Sequence, residues 1–372
     1  MRGPAAVPIV LAAGGTAGHL FPAEALAGEL IRRGRRVAVM TDGRSAAQAR
    51  ESFDGRELFV LRGAGLAGHD ALRATAGAIA IAGGIAQARG LLASLDASAV
   101  VGFGGYPAVA PMLAARLLRR RPALILHEQN AVLGRANRLL ARFADRLALS
   151  FAETQAVPGR ITGQVTGNPV RPAIQALAGR PYTAPGANKD GGAIRLLVLG
   201  GSLGARVLSD LLPPALAALP EALRARLRVG QQCRAEDLDR VRAAYATLGI
   251  EAKLSAFFPD VAERLAQAHL VVARAGASTV AELACAGRPA LLVPLPGAID
   301  DHQRWNARAL GAEMADQAGL TPEALGVQLA ALLAAPEWLA ALAQEAARRA
   351  RPDAAALLAD LVEDSITQEA HS

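Results

Sequence analysis

Pro8-Ile9-Val10-Leu11-Ala12-Ala13, followed by Gly14-Gly15-Thr16-Ala17-Gly18-His19, is the stretch that decides the fold. An apolar run opens into a glycine-rich turn, and a helical pattern follows from Pro22 to a stop at Gly34. Strand, turn and helix in that order present backbone N–H groups and a helix N-terminus to an anion, most often a phosphate. The same grammar returns half a chain later, where residues 194–199 run into Gly200-Gly201-Ser202-Leu203-Gly204. Two such openings predict two α/β domains facing each other across a cleft. That layout suits an enzyme joining two substrates, at least one of them phosphorylated.

Working outward, strands are expected at 37–41, 99–103 and 124–127, and in the second half at 270–273 and 289–294. They are continuous apolar runs, as in parallel sheets covered on both faces, and functional residues then belong at their carboxyl ends. The Pro-, Gly- and polar-rich stretch 180–192 reads as an interdomain linker, and 337–361 as an alanine-rich terminal helix. The expected domains are 1–178, joined by a returning helix at about 350–366, and 190–349.

With 372 residues and 52% hydrophobic composition, the chain can fill two cores. A net charge of +7 favours a polyanionic partner, a nucleotide or an anionic membrane surface. Nucleic acid would suit the charge as well, but with only 3% aromatic residues the stacking platforms of single-strand binders are scarce. A nucleic-acid-binding protein would also not explain two phosphate turns on a two-domain plan, so no nucleic acid is expected. Cys233 and Cys285 stand far apart outside any CxxC pattern, which argues against a disulfide framework and fits a reducing cytosol. The N-terminus has poor signal-peptide grammar, and the longest apolar stretch, about 74–86, is broken by glycines and too short to span a bilayer.

The motifs that carry chemistry follow the strands. Ala13 replaces the first glycine of the dinucleotide fingerprint, so a dehydrogenase with Asp42 on a ribose is disfavoured. His19 either faces the cleft or packs at a helix start. Gly102-Phe103-Gly104-Gly105-Tyr106-Pro107 either admits a bulky substrate or allows close packing. His127-Glu128-Gln129-Asn130 sets four polar side chains after a buried strand, which favours a site. No metal is expected there, because a second ligand pair with zinc-like spacing is missing. In Arg274-Ala275-Gly276-Ala277-Ser278-Thr279-Val280-Ala281-Glu282, Glu282 either completes a capping box with Thr279 or accepts from two ribose hydroxyls. Asp300-Asp301-His302-Gln303-Arg304-Trp305-Asn306 offers donors for sugar hydroxyls. Its aspartates are expected to cap the next helix rather than bind a metal.

Taken in order, GGTAGH, GFGGYP, HEQN, GNPVR, GGSLGAR, ARAGASTVAE and DDHQRWNA resemble the MurG family of UDP-N-acetylglucosamine transferases, over nearly the whole chain. The resemblance implies the GT-B fold: two Rossmann-like domains with parallel sheets and a deep cleft. It implies inverting transfer from UDP-N-acetylglucosamine to the 4-hydroxyl of undecaprenyl-pyrophosphoryl-MurNAc-pentapeptide (lipid I), giving lipid II for peptidoglycan, with no cofactor. Other GT-B glycosyltransferases and UDP-sugar epimerases would share the nucleotide motif but not GGTAGH and HEQN together.

Residue by residue, the resemblance places Ala277, Ser278, Thr279, Val280, Ala281 and Glu282 at the nucleotide, with Glu282 on the ribose. Phe258 falls where a backbone group meets uracil, Ser202 on the diphosphate, and Arg171 on a further nucleotide-sugar contact. Gln303, with His302 and Asn306 beside it, belongs at the N-acetylglucosamine. Thr16, Ala17, Gly18, Tyr106 and Asn130 belong near the acceptor. His19 is the first candidate for general base and Glu128 the second. Ala17 stands where the family has glycine and would be strained if that backbone needs φ > 0. Leu203 and His302 stand where it has glutamine. The family works on the cytoplasmic face of the cytoplasmic membrane as a peripheral protein, with possible partners among cell-wall synthesis proteins. Leu72, Ile79, Ile81, Ile85, Leu91 and Leu92, with Arg135, Arg138, Arg142 and Arg146 further along, are the expected membrane patch.

Overall fold

The computed structural model describes residues 7–61, 71–186, 192–201 and 205–369. The chain forms two compact units, Met1–Arg171 with Asp353–Ser372, and Pro172–Pro352.

In the first unit, seven parallel strands form one sheet. They are β1 (Ile9–Ala12), β2 (Val37–Asp42), β3 (Glu57–Leu61), β4 (Ala99–Gly102), β5 (Ala123–Glu128), β6 (Arg146–Leu149) and β7 (Gly163–Val165), in the order β3-β2-β1-β4-β5-β6-β7. Strand β1 is buried on both faces. Ile9 and Leu11 join a core with Leu20, Leu26, Leu30 and Leu358, while Val10 and Ala12 join another with Leu92, Met112 and Leu140. The continuous apolar runs read in the sequence are the consequence of this three-layer packing. The second unit repeats the plan with β8 (Ile194–Leu199), β9 (Leu227–Gln232), β10 (Glu251–Ser255), β11 (Leu270–Ala273), β12 (Ala290–Leu292) and β13 (Glu313–Met314), ordered β10-β9-β8-β11-β12-β13.

Strand order reverses direction between β1 and β4 in one unit and between β8 and β11 in the other. Parallel sheets bind ligands at such switch points, beyond the carboxyl ends of the strands. GGTAGH and GFGGYP follow the first pair. GGSLGAR and ARAGAS follow the second.

Three expectations are corrected. The first helix runs Ala17–Arg32 instead of starting at Pro22. Thr16 takes the extended backbone of an N-cap, and Pro22 sits inside the helix, where Gly18 loses a backbone donor. The terminal helix is two helices, Pro336–Arg348 and Ala354–Glu369, broken before Pro352, where the chain changes unit. The change of unit in the other direction falls at Arg171–Pro172, not within 180–192. The helix Pro172–Gln175 packs on Ala277–Ala286, and Tyr182 donates from its hydroxyl to the His269 carbonyl at 2.8 Å, so this stretch belongs to the second unit.

The expected apolar patch is largely core. Leu92 is fully buried, and Ile85 and Leu91 pack against the same core. The side chains of Leu72 and Ile79 lie outside the described residues. Nor do the four arginines share one helix: the helix spans only Arg135–Leu140, and Arg146 opens β6 and donates to Gln368. No single helix among the described residues is long and apolar enough to cross a membrane.

Candidate active site

At the first switch point the glycines answer specific steric demands. A Cβ on Gly14 would lie 2.7 Å from Thr41 Oγ1 and 3.0 Å from Ser45 Oγ. Gly15 has φ +85°, and its N–H donates to Ser45 Oγ at 2.5 Å. Ser45 is itself held, its N–H donating to Asp42 Oδ1 at 3.0 Å. Buried Asp42 therefore braces the turn and receives Arg44, which accounts for its place at the strand end without a ribose. The left-handed conformation falls on Gly15. Ala17 is the first helical residue, so alanine there carries no strain of the kind its position raised. Thr16 is exposed at the mouth of the turn, and Gly18 is half-buried in the first helical turn.

The HEQN segment ends β5 and divides into two networks. Glu128 is buried, and both its oxygens are occupied. Oε1 accepts from Asn130 N (3.0 Å) and Nδ2 (3.1 Å). Oε2 accepts from Gly134 N (2.8 Å) and Asn137 Nδ2 (2.9 Å). Four donors on one carboxylate shape the loop that carries Asn130, and a proton could reach Glu128 only by displacing one of them. This geometry weighs against Glu128 as base.

The second network leads to His19. Its Nδ1 lies 2.9 Å from Gln129 Oε1, Gln129 Nε2 lies 2.9 Å from His127 Nδ1, and His127 Nε2 lies 3.0 Å from the Gly167 carbonyl. Burial pushes the His127 imidazole down to about 4, so it is neutral at physiological pH. His19 packs toward the glycine-rich start of the helix Gly105–Arg116, where a Cβ on Gly105 would lie 3.2 Å from His19 Nε2. Next to it, the Tyr106 hydroxyl is buried with no partner among the described residues, and burial raises its pKa. Arg171, the last residue of this part of the unit, lays its guanidinium 5.1 Å from the Phe21 ring centre.

In the second unit the helix Ala277–Ala286 starts from Gly276 as N-cap, with no side-chain cap. Thr279 and Glu282 lie inside the helix, so the capping box is not formed. Glu282 is buried on this helix beyond β11. Ser278 Oγ is buried with no partner among the described residues, while Ala277 and Val280 belong to the core and Ala281 is half-buried. Asn306 is fully buried, and its Nδ2 donates to the Ala275 carbonyl at 3.0 Å. It thus fixes the approach to that helix rather than meeting a ligand through that amide hydrogen. Arg274, quoted in the motif but given no role of its own there, ties the same approach to the segment after β12 by donating to the carbonyls of Val293 (2.9 Å) and Pro294 (3.2 Å).

After β12, Asp300 and Asp301 both have positive φ, 54° and 51°. Asp301 occupies the N-cap of the helix His302–Leu310, but its side chain does not cap it and instead accepts from Arg304 at 3.0 Å. Two consecutive left-handed aspartates are strained, a feature that collects at ligand sites. Gln303 Oε1 accepts from Leu295 N at 2.9 Å, which leaves its NH2 as the group able to donate outward. His302 Nδ1 lies 2.8 Å from the Ile299 carbonyl and must donate to it, so neutral His302 presents an acceptor at Nε2. Phe258 is buried under the Arg264 guanidinium, 4.0 Å from its ring centre, which leaves its backbone as the part able to meet a base. Ser202 and Leu203 lie outside the described residues.

The structure thus gathers His19 with the HEQN side chains in one unit, and Ser278, Glu282 and the 302–306 segment in the other. The sequence reading missed Gln129 as the partner of His19 and His127 as the partner of Gln129, and Asn137 and Arg274 as braces. Only the density of polar residues in HEQN signalled the first two. Among the described residues no three His, Cys, Asp or Glu side chains converge to hold a metal ion.

Comparison with known proteins places the two units in a family. The glycosyltransferase family 28 N-terminal domain matches residues 9–149 and the family's C-terminal domain matches 195–358. The chain is 60% identical to the UDP-N-acetylglucosamine--N-acetylmuramyl-(pentapeptide) pyrophosphoryl-undecaprenol N-acetylglucosamine transferase of Granulibacter bethesdensis, over 96% of this chain and 94% of that one. It is 55% identical to the transferase of the same name from Acidiphilium cryptum, over 99% of each chain. The crystal structure of Acinetobacter baumannii MurG superposes with a TM-score of 0.78 at 30% identity, over 96% of this chain and 99% of that one. Two parallel Rossmann-like units, both halves of the family 28 pattern and near-full-length identity agree, and the chain belongs to the MurG family of GT-B glycosyltransferases.

Proposed function

We propose that this protein transfers N-acetylglucosamine from UDP-N-acetylglucosamine to the 4-hydroxyl of the muramyl sugar of lipid I, with inversion, releasing UDP and lipid II. The observation that carries the reading is the 60% identity to a relative whose name states N-acetylglucosamine transfer between UDP-N-acetylglucosamine and N-acetylmuramyl-(pentapeptide) pyrophosphoryl-undecaprenol. In the step, the acceptor oxygen attacks the anomeric carbon, the bond from that carbon to the UDP oxygen breaks, and a base takes the hydroxyl proton. His19 is that base: imidazole titrates near neutral pH, and the side chain stands at the first switch point. Glu128 shapes the Asn130 loop, and Thr16, Ala17, Gly18, Tyr106 and Asn130 receive the acceptor. Glu282 accepts from the ribose, the Phe258 backbone meets the uracil, Ser202 contacts the diphosphate, and Arg171 makes a further nucleotide-sugar contact. Gln303 donates to the sugar and His302 accepts from it.

The lipid tail requires a meeting with the membrane surface. Exposed Leu139 and Phe143, with exposed Arg135 and Arg142 around them, form an apolar, cationic surface that suits an anionic leaflet and replaces the patch read from the sequence. The protein then acts as a peripheral protein on the cytoplasmic face of the cytoplasmic membrane.

The test is transfer of radiolabelled sugar from UDP-N-acetylglucosamine to a short-chain lipid I analogue. The expected result is a labelled disaccharide-lipid and one UDP per transfer. Epimerised UDP-sugar with no labelled lipid overturns the reading.

A further inference from the structure

We propose that Gln129 and His127 are positioning residues that hold His19 as its Nδ1–H tautomer, so that the lone pair stands on Nε2. The inference deepens the reading of His19 as base and rests on it.

The direction of the chain follows from groups that can only accept. The Gly167 carbonyl, 3.0 Å from His127 Nε2, has no hydrogen, so His127 must carry its proton on Nε2. His127 is neutral, so its Nδ1 is an acceptor. The group facing it at 2.9 Å must therefore be the NH2 of Gln129. A second carbonyl enforces the same orientation, since Gln129 Nε2 also lies 3.1 Å from the His127 main-chain oxygen. With the NH2 oriented twice over, Gln129 Oε1 is turned to His19 and can only accept. His19 Nδ1 must donate across the 2.9 Å contact, and the neutral imidazole keeps its lone pair on Nε2. Gln129 is buried and His127 fully so, which limits exchange of these partners with water. The tautomer of a half-buried base is thus set by a carbonyl three hydrogen bonds of the network away, after β7.

Gly105 supports the assignment. Its φ of +65° and its missing Cβ keep backbone bulk off the Nε2 side of the ring, the side that has to receive a hydroxyl proton.

The experiment combines nitrogen-15 spectra of the histidine side chains with steady-state kinetics on wild type, His19→Ala, Gln129→Met and Gln129→Glu. Wild-type His19 is expected to show a protonated Nδ1 and a bare Nε2. Gln129→Met keeps the volume but removes both contacts; the expected result is a tautomer mixture and a kcat about tenfold or more lower, with both KM values unchanged. Gln129→Glu sets one carboxylate oxygen against His19 Nδ1–H and the other against His127 Nδ1, which has to take up a proton to donate to it, and the acid limb of the kcat/KM profile is expected to move up by about 1 pH unit. A merely structural role would not move that limb. His19→Ala with wild-type turnover overturns the base reading and the inference with it. An inactive His19→Ala, with wild-type His19 protonated on Nε2 or with Gln129→Met unchanged in kcat, overturns the positioning role alone. The wild-type spectrum decides even where a variant fails to fold.

Discussion

Several residues have a role set by which neighbours share their atoms. Glu128 and Glu282 are both buried carboxylates that follow apolar strands, yet Glu128 is surrounded by four donors from its own loop while Glu282 sits in a helix with no capping box to complete. Glu282→Ala is expected to raise the KM for UDP-N-acetylglucosamine about tenfold or more, since hydrogen bonds to charged groups contribute about 1.5–3 kcal/mol. Initial rates over a donor-sugar titration check this, and an unchanged KM removes Glu282 from the ribose. Gly105 is a second case. Alanine there would sit at φ +65° with its Cβ 3.2 Å from His19 Nε2. The left-handed conformation costs about 1–2 kcal/mol, so Gly105→Ala is expected to lower both Tm and kcat. Wild-type kcat in the variant would show that the imidazole yields to the methyl group without consequence.

Among the elements, the terminal helix Ala354–Glu369 binds the first unit through ions as well as apolar packing. Leu358 and Val362 enter the core beside the helix Ala17–Arg32. At the end of that helix, Arg33 donates to Glu29 (2.7 Å), Asp360 (2.6 Å) and Glu363 (2.8 Å), and Arg35 donates to Glu363 (2.6 Å). Hydrogen bonding from Arg32, and then from Arg33, lowers Glu29 to about 2 from 4.5. Burial opposes a similar change at Glu363, but the bonds from Arg33 and Arg35 outweigh it and its pKa is lowered. Carboxylates with depressed folded pKa values stabilise above their unfolded values. That stability is lost as pH falls from about 4.5 toward about 2. Arg33→Met is expected to cost about 1–2 kcal/mol at pH 7, as a partly buried network rather than a single exposed pair. The gap to wild type should narrow as pH falls below about 4.5 and close only near pH 2, where the carboxyls are protonated in the folded protein too and no longer distinguish the two proteins. Urea unfolding at both pH values reads this out, and a gap of equal size at each would assign the loss to packing of the arginine stem.

On the proposed function, the whole molecule has to meet a membrane surface. Replacing Arg135 and Arg142 by Glu, with Phe143→Ser, is expected to release the protein from vesicles containing anionic lipid, since each basic residue near the surface contributes about 1 kcal/mol. Wild-type sedimentation should itself weaken at high salt. UDP binding by the second unit should be retained in the variant. Sedimentation that ignores salt and lipid charge would discard the electrostatic part of the proposal.

What the sequence determined by itself is local in origin. Apolar runs located β1, β2, β4, β5, β8, β11 and β12, and the repeated strand-turn-helix phrase announced two parallel-sheet units, because both signals lie within a few neighbouring residues. Strands β3, β6, β7, β9, β10 and β13 were not located: Glu57, Arg146 and Glu251 open β3, β6 and β10, β9 alternates buried with exposed or half-buried residues, and β7 and β13 are only three and two residues long. The ordered motifs likewise made the family legible, and with it the candidate residues. Only the tertiary structure decided what those residues do to one another. His19, His127, Gln129 and Gly167 meet because the strand order sets β5 two places from β1 and the Gly167 turn beyond β7, an arrangement no spacing in the chain encodes. The direction of a hydrogen-bond chain depends on which carbonyl lies at its end, and that is a property of packing, not of sequence.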